Sequence, residues 1–112
     1  MVVKEICDKL ELTVLTEGVE LNKKVSGAYI CDLLSWVMGH AQKGDAWITI
    51  QSHANIIAVA SLLELPCIII CEDAEVDEDT IEKAIEEEIA ILSSSGSAFS
   101  VAKKLIEAGL GS

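Results

Sequence analysis

The chain has 112 residues, 51% of them hydrophobic, and its 8 basic residues against 19 acidic ones give a formal net charge of −11. That length fits one domain with a packed core, and the hydrophobic share excludes a disordered chain. Acidity of this degree repels phosphate backbones and anionic headgroups, which argues against nucleic acid and membrane surfaces as partners.

The opening "VVKEICDKL" sets Val3, Ile6, Cys7 and Leu10 on one helical face. It is charged too early to read as a signal peptide, and the expected location is the cytoplasm. "LTVLT" (12–16) reads as a short strand, followed by a polar loop through Gly18 and a second short strand around Val25 and Ser26 that ends at Gly27. In "AYICDLLSWVMGHAQ" (28–42), Ile30, Leu33, Leu34 and Val37 have the i, i+3, i+4, i+7 spacing of an amphipathic helix. "AWITI" (46–50) is a strand. "HANIIAVASLLEL" (53–65) is a helix apolar almost all round, so it should be covered on more than one side. Pro66 ends it, and "CIIIC" (67–71) suits a parallel strand buried on both faces. "VDEDTIEKAIEEE" (76–88) is helical, with acids at its start and a stripe of Ile81, Ala84 and Ile85. "AILS" (90–93) is a strand, and a last helix capped by Ser97 runs to about Gly109.

This alternation predicts a small single-domain α/β fold over residues 1–112, with a mostly parallel sheet flanked by helices. The longest apolar stretch (54–71) is broken by Glu64 and Pro66, so it is no membrane span. Cys67 and Cys71 lie on one face of their strand, about 13 Å apart by strand rise. That is too far for a shared metal or a disulfide. With Cys7 and Cys31 they read as small reduced hydrophobes.

Glycine-aspartate before the strand at 46–50, Ser52-His53 after it, the apolar helix, and "AFSVAKKL" after a Ser-rich turn together resemble the DRTGG domain family. "VSGAYICDLLSWVMGHAQKGDAWITIQSHANIIAVA" is similar to stand-alone bacterial members, and the likeness covers about residues 1–110. It implies a fold like the N-terminal domain of HPr kinase/phosphatase and a regulatory or oligomerising role, with dimer contacts. The namesake motif departs here. Ser52-His53 stands at the Asp-Arg position, and Cys71-Glu72-Asp73 at the Thr-Gly-Gly position. No G-x-x-x-x-G-K-[ST] loop occurs, so the resemblance carries no kinase chemistry with it.

Two polar turns are candidate ligand sites. Ser52, His53 and Asn55 sit where a strand meets a helix, as do Ser94, Ser95, Gly96 and Ser97. Helix N-termini at the carboxyl ends of parallel strands bind anions, so these turns could share a small phosphorylated ligand. The same residues serve equally as helix caps and turn formers. Residues 72–88 hold ten acidic residues in seventeen, which suits a solvated face or a cation such as Mg²⁺. No nucleophile elbow is present. A small domain has too little interior for an all-round apolar helix. Trp36, Ile56, Ile57, Val59 and Leu63 are therefore expected at a homodimer interface; Trp47 fits either core or interface. The sequence thus points to a non-catalytic regulatory module without cofactor or metal, a homodimer that binds a small ligand or a partner protein. An enzyme or kinase-like factor of phosphate or redox metabolism is the alternative.

Overall fold

The computed structural model describes residues 1–111. Five helices, α1 (Val3–Leu10), α2 (Leu34–His40), α3 (Asn55–Leu63), α4 (Glu78–Glu86) and α5 (Ala98–Glu107), surround one sheet. Its strands are β1 (Thr13–Val14), β2 (Gly27–Ile30), β3 (Asp45–Thr49), β4 (Cys67–Ile70) and β5 (Ala90–Ser93), in the order β1-β5-β4-β3-β2. β2 to β5 are parallel, and β1 lies antiparallel beside β5. The alternation in the sequence predicts this mostly parallel α/β sheet.

Side chains leave a strand on alternate faces, and here both faces are covered. Cys67, Ile69 and Cys71 join Ala46, Ile48 and Leu92 in a core closed by Val3 and Ile6 of α1 and Val101 and Leu105 of α5. Ile68, Ile70, Trp47 and Ile91 form the other core with Val37 of α2, Ile56 and Ile57 of α3, and Ala84 of α4. This explains why "CIIIC" shows no polar alternation. The two thiols share a face, as the strand period requires.

Four expectations are corrected. The second strand is not at Val25 and Ser26 but at Gly27–Ile30, and the helix expected over 28–42 shrinks to Leu34–His40. "AYIC" fits a strand period as well as a helical one, and pairing with β3 decides, setting Tyr29 beside Trp47 and Ile30 beside Ile48. Of the expected stripe, Val37 is buried and Leu34 half-buried, while Ile30 and Leu33 are exposed. α3 buries Ile56, Ile57, Val59 and Ala60 but leaves Ala58 and Leu62 outside, so the domain covers one broad side of it and no more. On α4 the inward pair is Thr80 and Ala84, and Ile85 is exposed.

Among the described residues, no helix is long and apolar enough to cross a membrane.

Candidate functional site at the carboxyl edge of the sheet

Four parallel strands end at one edge, so the turns after β2, β3, β4 and β5 stand side by side there. Both sequence-predicted turns lie at this edge, with the β4–α4 connection between them. Glu72 N–H donates to Gly96 O at 2.8 Å and Asp73 N–H to Ser94 O at 3.0 Å, which fastens the third turn to the fourth. Ser94 Oγ accepts from Gly96 N–H at 3.1 Å. Ser97 Oγ caps α5 by accepting from Ser100 N–H at 3.1 Å, as the sequence predicts. Ser95 is exposed. Ser52 does not cap α3, whose N-cap is Ala54. Instead Ser52 O accepts from Thr80 Oγ1 at 2.7 Å, tying the β3–α3 turn to α4. His53 Nδ1 lies 3.0 Å from Asp77 Oδ2, and Asn55 opens α3 in solvent.

The edge is acidic. Asp32, Glu72, Asp73 and Asp77 are all exposed here, against the single imidazole of His53, which Asp77 already occupies. The outward N–H groups of Glu72 and Asp73 are spent on carbonyls. An anion at this edge would meet carboxylates and few free donors. Among the described residues, no three His, Cys, Asp or Glu side chains converge where a metal ion could sit. Burial pushes the Cys71 thiol up to about 11, with Glu72 and Asp32 adding to the rise, and burial pushes Cys67 to about 12. Both stay protonated at neutral pH and are poor nucleophiles there.

Where β2 and β3 end, the edge changes character. Ile30 (51% exposed) closes β2 and Ile50 (50%) follows β3, while Leu33 (62%) and Trp36 (52%) lie just beyond, where the 31–33 loop runs into α2. Asp32 holds that loop. Its Oδ1 accepts from Thr49 Oγ1 at 2.7 Å and Ile50 N–H at 3.1 Å, while its carbonyl accepts from Gln51 Nε2 at 2.8 Å. Trp47 Nε1 donates to Cys31 O at 2.8 Å, anchoring the same loop from inside the core. Trp36 stacks on His40 with ring centroids 3.9 Å apart.

Of the interface set, Trp36 is exposed and Leu63 half-buried, whereas Ile56, Ile57 and Val59 lie in the domain's own core. The exposure of Ile30, Leu33 and Ile50 was not anticipated from the sequence. The signal was the period-2 reading of "AYIC", which turns Ile30 and Leu33 out of a helix stripe. A cavity of about 390 Å³ lies at the opposite edge, lined by Lys23, Lys24 and Lys43. Lys43 pairs with Glu64 at the end of α3, and Lys23 Nζ donates to Glu88 O beyond the end of α4. Lys23 and Lys43 answer the negative helix termini.

The fold matches a solved α/β structure, that of the CBS and DRTGG domains of the regulatory region of Clostridium perfringens pyrophosphatase, complexed with the activator diadenosine tetraphosphate. The TM-score is 0.70 at 18% identity, covering 95% of this chain and 46% of that one. The DRTGG domain family model matches residues 5–108, and the chain belongs to that family. No curated protein matches it. Glu72 and Asp73 have φ of 60° and 52°. They form a left-handed turn that glycines would suit, with side chains that strain it.

Proposed function

We propose that this protein is a non-catalytic regulatory module that works by docking, with a second copy of the chain as partner, through the corner formed by Ile30, Leu33, Trp36 and Ile50. The carrying observation is that four large apolar side chains near the carboxyl ends of β2 and β3 are each at least half exposed on a chain of net charge −11. Aromatic anchors ringed by apolar contacts are what stable interfaces use. Membership of the DRTGG family and the likeness to a regulatory region support the regulatory role. A small phosphorylated ligand at Ser52–His53 and Ser94–Ser97 is the second reading; it is supported by the common edge of those turns and opposed by the carboxylates around them.

Native mass spectrometry of untagged protein tests both. The docking reading expects a dimer that Leu33→Ser or Trp36→Ala weakens at least tenfold. A monomer that retains a phosphorylated metabolite would replace docking with ligand sensing. A bare monomer would overturn docking on a second copy.

A further inference from the structure

β2 has a single neighbour, β3. Cys31 N–H donates to Ile48 O at 3.3 Å, and Ile48 is the register partner of Ile30. A parallel strand bonds its neighbour through alternate residues, so Tyr29 and Cys31 turn their backbone groups toward β3. The N–H and C=O of Ala28 and Ile30 therefore point away from the sheet, and both residues are exposed. Edge strands are commonly guarded by a charge, a proline or a bulge. Residues 25–31 (VSGAYIC) contain no charged residue and no proline.

We infer that two copies of this chain join edge to edge through β2, antiparallel about a two-fold axis at Tyr29, into one continuous sheet. This rests on the docking reading above. With the axis at Tyr29, Ala28 of one copy lies opposite Ile30 of the other, and every outward N–H and C=O of the strand is paired. Such an edge is self-complementary, as a two-fold interface must be.

Charge selects a second copy as the occupant. Copies with a net charge of −11 repel each other except across a charge-free face. Residues 25–41 carry one charged side chain, Asp32, and its carboxylate is engaged with Thr49 and the Ile50 amide. A basic partner would be drawn to the acids of α4 instead. A four-residue strand supplies few hydrogen bonds, so a stable pair, which buries roughly 800 Å² per partner, must also cover apolar side chains beside it such as the exposed Ile30 and Leu33.

Hydrogen exchange on the wild-type protein reads the pairing directly. The Ala28 and Ile30 amides should slow at least tenfold as concentration is raised through the dimer transition. Ala28→Pro removes an N–H that the monomer does not use, so it should keep the fold and weaken the dimer at least tenfold. In a Cys31→Ser background, Tyr29→Cys sets thiols on facing residues about 4.5 Å apart at Cα. Oxidised glutathione should then link them as a symmetric disulfide. A dimer whose Ala28 and Ile30 amides exchange freely overturns the pairing. If Trp36→Ala still weakens that dimer, the docking reading survives alone; if neither variant matters, both fall. A wild-type monomer at every concentration also overturns both.

Discussion

Glu72 and Asp73 occupy a conformation that costs an L residue about 1–2 kcal/mol, and a glycine about 0.5–1 kcal/mol in lost freedom. Glu72→Gly and Asp73→Gly should each raise stability by about 0.5–1 kcal/mol, seen as a higher urea midpoint at unchanged slope. A lower midpoint would mean that the carboxylates make stabilising contacts. The strain was illegible in the sequence, where the two residues read as part of an acidic run. The buried cysteines were legible as core by spacing, and their titration follows from burial. The Cys67 thiol rises from 9.0 to about 12 in the folded chain. Above pH 9 the unfolded chain loses this proton while the folded chain keeps it. The folded state then binds more protons, so stability falls as pH rises from about 9 to about 12. The slope is about 1.4 kcal/mol per pH unit for each such thiol. Denaturation midpoints across that range should fall more gently in Cys67→Ala. Equal slopes would remove Cys67 as the cause.

Among elements, the strands with strong patterns were readable. "CIIIC" and "AWITI" each carry β-branched runs between turn signals, and their places in β4 and β3 follow. β2 was not, because Ala28, Tyr29, Ile30 and Cys31 satisfy both periods and only the register against β3 separates them. That one misplacement hid the exposure of Ile30 and Leu33, which count as core on a helix and as surface beside an edge strand. Asp32 is the element's fastening. Asp32→Ala leaves the Thr49 hydroxyl without its acceptor at a site 2% exposed. It should cost about 1–3 kcal/mol. Chemical denaturation measures this, and a change under half a kcal/mol would show that the loop is held by Trp47 and Gln51 without it. Asp32→Asn should recover part of the loss.

For the whole molecule, a net charge of −11 opposes pairing of copies, and the proposed docking corner would have to offset it. The Debye length shrinks from about 30 Å at 10 mM salt to about 8 Å at 150 mM, so screening should tighten the dimer over that range. Sedimentation equilibrium at the two salt concentrations would show it, and tighter association at low salt would point to ion pairs across the interface instead. The sequence disclosed the acidity and the α/β class, but not which surface escapes the acids, because that depends on strand order. The two borders of the sheet are also unequal, β2 with four residues and β1 with two. Head-to-tail growth would need both borders to accept a neighbour, whereas pairing through β2 consumes the long one and leaves only the short. If copies pair as inferred above, assembly would be self-terminating, and an unguarded strand that elsewhere would seed fibres would close on a complex of two.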